Sequence, residues 1–305
     1  MISSSRMVRL HLSLLLVMVW VTSMFAGGAR VARGSLLVYE PFNYDAGVIL
    51  DQTAATGVNL SGAYAALDPL LPAQFQLAAQ SPGLTYGNLS AAPDVEGNRL
   101  SQASGTTAGG VTVAVDQNVI VGPGQAIYFS TLFTFDDSQN GNHRAHVALT
   151  DDDSGDELTF GEAAVGIRSL RVSADTAATE GLLAAGADNA FTNGQTLLLV
   201  GRYINSAAAN GDLLELVGYD TADDHVLPSS FEPTDPNAEF AYALADLDIN
   251  LAKITSITFV IRGNGNNFID ELRIGSTYAS VVPEPSTVIM LMAGLCSVIL
   301  LTRRR

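Results

Sequence analysis

Phe268–Tyr278 reads FIDELRIGSTY, and the fold turns on how this segment is read. It follows a turn-forming cluster, Gly263-Asn264-Gly265-Asn266-Asn267. Before that turn stands Ile254–Arg262, ITSITFVIR, which alternates strictly at first. Alternation, then Gly/Asn-rich chain, then a second apolar run predicts two strands with Phe268–Ile274 as the closing one.

Working outward, the same punctuation recurs. Leu36–Tyr39 reads as an opening strand that stops before Pro41, and Val111–Val115 alternates. Ile127–Phe135, IYFSTLFTF, mixes aromatics with Ser and Thr and predicts a central strand buried on at least one face. His146–Thr150 and Leu158–Phe160 flank the acidic segment Asp151–Glu157. Val165–Val172 alternates with a break near Ser169, the mark of a bulge. Thr196–Ile204 is nearly continuously apolar and Asn210-Gly211-Asp212 turns the chain into Leu213–Val217, predicting a hairpin. Residues 51–110, rich in Ala, Gly, Ser and Pro, predict mostly irregular chain with one or two short strands, Gly83–Leu89 being the most structured piece. Residues 220–250 predict loop, with a helical turn or two in Ala241–Leu251. Many short strands between turn residues, and no long amphipathic helix, indicate an all-β sandwich or barrel.

The two ends are of another kind. Arg6 and Arg9 precede an apolar stretch, Leu12–Val21, and small residues follow from Ala26 to Ala32. This is the layout of a signal peptide spanning 1–33, with cleavage near 26–32. Arg30 and Arg33 leave an uncleaved anchor as the alternative. At the other end, Pro283-Glu284-Pro285 precedes a charge-free run from Val288 to Leu301, and Arg303-Arg304-Arg305 follows. With flanking Ser and Thr the apolar segment covers 286–302, short against the usual span of about 20 residues. It is apolar all round, unlike a core helix with one polar face. The arginines are what a cytoplasmic face holds back. The segment predicts a C-terminal transmembrane helix with everything before it outside.

Pro-Glu-Pro, apolar span and arginine cluster, in that order, resemble the PEP-CTERM sorting signal of bacterial envelope proteins. The resemblance covers 283–305 and places the sorting motif on Pro283, Glu284 and Pro285, with Arg303, Arg304 and Arg305 as the membrane stop. It implies export, recognition by an exosortase-type membrane protease, and delivery through an inner-membrane intermediate to the cell surface or extracellular matrix. FIDELRIGSTY, the pair Leu198–Tyr203 and Leu213–Leu216, and Tyr39–Tyr44 resemble strands of laminin-G-like and concanavalin-like domains. That resemblance implies a two-sheet antiparallel jelly-roll sandwich over 34–282.

Seven of the chain's 15 basic residues but only one of its 31 acidic residues lie in the terminal segments, so 34–282 carries eight against 30, near −22. Such a domain repels nucleic acid and anionic lipid. Its one lysine is Lys253, it has no Trp, and the chain's single cysteine, Cys296, lies in the apolar tail. Disulfides, thiolate zinc sites and cysteine nucleophiles are therefore excluded from it.

Candidate chemistry is sparse. Asp151, Asp153, Asp156 and Glu157 offer oxygens for Ca²⁺ if Gly155 bends the loop, and a solvated acidic loop is the competing reading. His143 and His146 are three apart, a spacing that does not put two ligands on one face of a strand. No nucleophile elbow, HExxH or phosphate loop is present. Glu215, Asp270 and Glu271 fall on predicted strands, either as a carboxylate pair for glycan chemistry or as acids on a solvent face. The sequence thus points to a non-enzymatic exported protein without cofactor, binding glycan or matrix. The alternatives are a glycan-active enzyme on the same fold or a Ca²⁺-, mineral- or ice-binding surface protein.

Overall fold

Thr196–Ile204 sends its alternate side chains to two different cores. Leu197, Leu199 and Tyr203 enter one, while Leu198 and Val200 enter the other. A strand buried on both faces has no polar face to show, which is why this stretch is almost continuously apolar. The computed structural model describes residues 35–67, 76–87, 89, 98–103, 108–134, 144–162, 170–174, 194–208, 211–247, 249, 251–262 and 267–282.

Fourteen strands occur among them: β1 Leu36–Glu40, β2 Leu60–Ala66, β3 Leu77–Gln80, β4 Arg99–Gln102, β5 Ala108–Ile120, β6 Ala126–Thr134, β7 Arg144–Asp151, β8 Asp156–Glu162, β9 Leu170–Ala174, β10 Thr196–Ile204, β11 Asp212–Asp220, β12 Phe240–Leu247, β13 Lys253–Arg262 and β14 Phe268–Gly275. They form two antiparallel sheets. The larger runs β12-β11-β10-β6-β14-β4-β3 with β1 also on β14, and the smaller runs β2-β5-β13-β7-β8-β9. The fold is an all-β sandwich.

The main core lies between the sheets. Phe129 of β6 stacks on Phe160 of β8, ring centroids 4.3 Å apart, and Phe42 meets Phe259 of β13 edge-on at 5.1 Å. Gly201 of β10 is needed beneath Phe129, since a Cβ there would lie 2.1 Å from the ring. The second core lies on the other face of the large sheet. There Leu132, Leu198, Val200, Val217 and Tyr219 are covered by Leu84, Tyr86, Leu89, Phe231 and the last turn, α1 (Tyr278–Val281).

β14 needs a device to serve both cores. Ile269, Leu272 and Ile274 all enter the main core, which strict alternation forbids. A register shift between Asp270 and Arg273, with Glu271 in the left-handed region at φ 48°, inserts the extra residue of a β-bulge. The bulge resets the phase and turns two acids inward.

The structure departs from the sequence reading at three places. Phe240–Leu247 is strand β12, not helical turns. Alanines at 241, 243 and 245 favour helix intrinsically, but here they are the exposed positions of an edge strand. Residues 51–110 hold β2, β3, β4 and the start of β5, more strand than expected. Gly83–Gly87 is not a strand; Leu84, Tyr86 and Leu89 cap the second core. The break near Ser169, the signal segment and the tail from Pro283 onward lie outside the described residues. No helix among the described residues is long and apolar enough to cross a membrane.

Candidate functional site

Buried carboxylates, not exposed ones, organise this domain. Glu40 ends β1 with no solvent exposure. Its carboxylate accepts the Phe42 amide at 2.7 Å, the Tyr64 hydroxyl at 2.6 Å and the Tyr44 hydroxyl at 3.3 Å. Phe42 sits at φ 49°, an unfavourable conformation for its side chain, and the Glu40 contact holds that turn in place. Burial pushes the Glu40 carboxyl up, and Tyr64, the Phe42 amide and Tyr44 offset part of this.

Asp270 and Glu271 are also buried, at 0% and 3% exposure, so neither lies on a solvent face as the alternation had suggested. Asp270 accepts the Leu84 amide at 2.7 Å and the Glu271 amide at 2.8 Å, and so ties the Gly83–Leu89 loop to the bulge. Burial pushes its carboxyl up to about 8, against the pull of the Leu84 amide. Glu271 accepts the Tyr39 hydroxyl at 2.8 Å, the Tyr86 hydroxyl and Arg273 Nη2 at 2.8 Å. The Arg273 guanidinium lies 5.0 Å from the Tyr39 ring centre. Glu215 is likewise buried, paired with Arg202 across the β10–β11 hairpin.

Two more pairs complete the pattern. Tyr203 donates to Asp212 at 2.8 Å and Tyr219 to Asp235 at 2.9 Å. Six of the chain's nine tyrosines therefore donate to a carboxylate. In a region with eight basic residues, phenol hydroxyls supply the donors that buried acids require. The composition hinted at this only through the scarcity of cations. Nothing in the sequence said which acids were inside.

The acidic segment forms the β7–β8 hairpin. Gly155 turns it at φ 79°, and its amide donates to the Asp151 carbonyl at 2.7 Å. Its carboxylates are taken up by protein donors. Lys253 pairs with Asp153 and lies 4.0 Å from Asp151. Asp152 accepts the Thr255 hydroxyl at 2.8 Å and the Ser256 hydroxyl at 3.1 Å. Glu157 accepts the Thr159 hydroxyl at 2.6 Å. The Asp156 amide donates to Ser154 Oγ at 3.3 Å. No group of three or more His, Cys, Asp or Glu placed to hold a metal ion occurs among the described residues. His146 lies on β7, while His143, Pro283–Pro285 and Arg303–Arg305 lie outside them.

The remaining site is where the domain ends. After β14, Ser276 and Thr277 lead into α1, and Tyr278, Val281 and Val282 are 6%, 0% and 7% exposed. Ser130 of β6 donates its hydroxyl to the Val281 carbonyl at 2.6 Å. Residues 281–305 match the PEP-CTERM protein-sorting motif. The chain carries a PEP-CTERM sorting signal. The signal implies export and exosortase-mediated processing, with targeting to the cell surface or beyond.

No curated protein matches the chain in sequence. Among solved structures, lectin II from Ulex europaeus is similar at 10% identity over 80% of this chain and 100% of its own, TM-score 0.45. The T. cruzi calreticulin globular domain is similar at 11% identity over 64% and 78%, TM-score 0.40. The Bauhinia forficata lectin in complex with GalNAc is similar at 9% identity over 80% and 98%, TM-score 0.39. At such scores none of them bears on what this PEP-CTERM chain binds.

Proposed function

We propose that this protein is an exported, PEP-CTERM-sorted β-sandwich that acts at the cell surface or in the extracellular matrix by binding, without catalysis. The observation that carries the reading is the sorting motif at 281–305, joined directly to a folded β-domain. The partner class proposed is extracellular polysaccharide or matrix glycoprotein; its support is the resemblance of the closing strand and the β10–β11 pair to jelly-roll domains. The non-catalytic part is supported by the buried acids: Glu40, Asp270, Glu271 and Glu215 are each occupied by protein donors.

The test replaces Pro283-Glu284-Pro285 with three alanines in the native cell. Export should persist and the protein should accumulate in the inner membrane instead of reaching the surface. Surface delivery at the wild-type level would refute the sorting role.

A further inference from the structure

The sheet edges are finished in different ways. β3 ends the large sheet on one side, and residues 47–50 run along it: the Gly47 amide donates to the Ala79 carbonyl at 2.8 Å, Ala79 to Val48 at 3.0 Å and Leu50 to Leu77 at 2.9 Å. β2 ends the small sheet, and residues 52–55 close it, with Gln52 donating to Tyr64 at 2.8 Å, Tyr64 to Thr53 at 2.9 Å and Ala55 to Gly62 at 2.9 Å. β12 ends the large sheet on the other side, and no strand among the described residues lies beyond it. One contact fixes the phase of its ladder. The Thr221 amide donates to the Thr196 carbonyl at 3.0 Å, so alternation puts the bonded pairs of β10 and β11 at Leu198–Tyr219, Val200–Val217 and Arg202–Glu215. β11 therefore bonds β12 through Leu214, Leu216 and Gly218, opposite Leu244, Tyr242 and Phe240. The N–H and C=O groups of Ala241 and Ala243 point away from β11, and Ala241, Ala243 and Ala245 are all exposed.

We propose that β12 is where a second copy of this chain docks, the two β12 strands pairing antiparallel about a two-fold axis at Ala243 and joining two large sheets into one. An outward row of backbone donors and acceptors is a template for another strand, and natural edges are blunted by charge, proline, bulges or a covering segment. Phe240–Leu244 carries neither charge nor proline, and its register with β11 shifts only after Leu244. A second copy fits because the segment is its own complement. With Ala243 opposite Ala243, Ala241 falls opposite Ala245 and Tyr242 opposite Leu244. Small residues then meet small ones on the exposed face, while Tyr242 and Leu244, packed on the main core, meet each other on the opposite face. Charge selects the same place. The domain's 30 acidic residues against eight basic ones make two copies repel over most of their surfaces, but residues 240–245 are uncharged. The contact is small against the roughly 1,200 Å² of a stable interface. Pairing is therefore weak in dilute solution and grows where one sorting signal delivers many copies to one place.

Cross-linking of the full chain in its native cell tests the pairing. Cys296→Ser removes the chain's one thiol. Ala243→Cys then places a thiol on the axis, where opposed Cα atoms of a bonded pair lie about 5.5 Å apart, within disulfide reach. The controls are Ala241→Cys, whose two copies lie roughly 14 Å apart along the strands, and Val226→Cys, 73% exposed and off the strand. After treatment with diamide the Ala243→Cys chain should run as a disulfide-linked dimer, several-fold above either control, with mass spectrometry showing position 243 joined to position 243. No dimer from 243, or equal yields from all three variants, overturns the proposal. A link from 243 to a different protein also overturns it, and makes β12 a docking strand for a foreign chain. Ala243→Lys provides a second measurement, because it sets two like charges face to face on the axis. Sedimentation of the surface-recovered protein should show mass rising with concentration for wild type and not for this variant, with the melting midpoint unchanged as the sign that it is folded. Identical sedimentation of the two overturns the pairing.

Discussion

The β7–β8 hairpin and the Glu40–Asp270–Glu271 carboxylates invite comparison. The hairpin holds five acids within seven residues, Asp151 to Glu157; all but Asp151 are at least partly exposed, and their partners include hydroxyls and the chain's only lysine. The buried acids are scattered singly or in a pair, and each has its own donors, from as near as the Phe42 amide on Glu40 to as far as the Tyr39 hydroxyl on Glu271. Density of charge in a sequence marks where acids can be solvated together. The acids on which the architecture depends are sparse because each must be matched by its own donors.

Breaking the buried side should have the largest effect. Glu40→Ala leaves the Phe42 amide and the Tyr64 hydroxyl without their acceptor, while Tyr44 keeps the Tyr64 oxygen, at roughly 1–3 kcal/mol for each buried unsatisfied group. Chemical denaturation of the exported domain should show a loss of about 3 kcal/mol or more. A loss below about 1 kcal/mol would mean that the carboxylate is not holding the β1 turn.

A pH series sharpens the comparison. Asp270 is pushed up to about 8 in the folded domain, against about 3.9 for an unfolded Asp. The folded state thus binds this proton more tightly than the unfolded state. Its stabilising contribution is complete below the unfolded value and is lost as pH rises toward 8. Glu40, also raised, acts in the same direction. The melting midpoint should fall between pH 5 and pH 8, and Asp270→Asn should flatten that fall. Parallel slopes for variant and wild type would remove Asp270 from the account.

The hairpin should respond least. Asp153→Ala removes the Lys253 partner from an exposed carboxylate, and exposed pairs contribute little. Its midpoint should match wild type. Millimolar Ca²⁺ against chelator should likewise leave the midpoint unchanged, because Lys253, Thr255, Ser256 and Thr159 already occupy the acids. A clear rise with Ca²⁺ would instead establish the hairpin as a cation site.

What was legible in the sequence follows the same division. β6, β10, β13 and β14 announced themselves because two-sided burial or strict alternation leaves a strong apolar trace. β12 was hidden by its alanines, whose preference for helix yields to pairing with β11. β3 and β4 are four residues each, too short for periodicity to register. For Asp270 and Glu271 the sequence leaves open a carboxylate pair or acids on a solvent face, because no local signal announces the bulge that buries both. Leu36–Tyr39 is legible as the opening strand, but its chemistry is not: Glu40 faces Tyr64, 24 residues on. The sorting signal was fully legible, since its meaning lies in local order and not in contacts.

β14 pairs with β6, β4 and β1 at once, though it is the last strand among the described residues. A polypeptide threaded out of the cell with its N-terminus leading delivers that strand after every other. Until residue 275 emerges, β6, β4 and β1 wait with open edges, the state in which sheets pair wrongly. The apolar tail follows within a dozen or so residues. Closure of the large sheet therefore waits on the segment next to the sorting motif, and the domain finishes assembling only as that motif emerges.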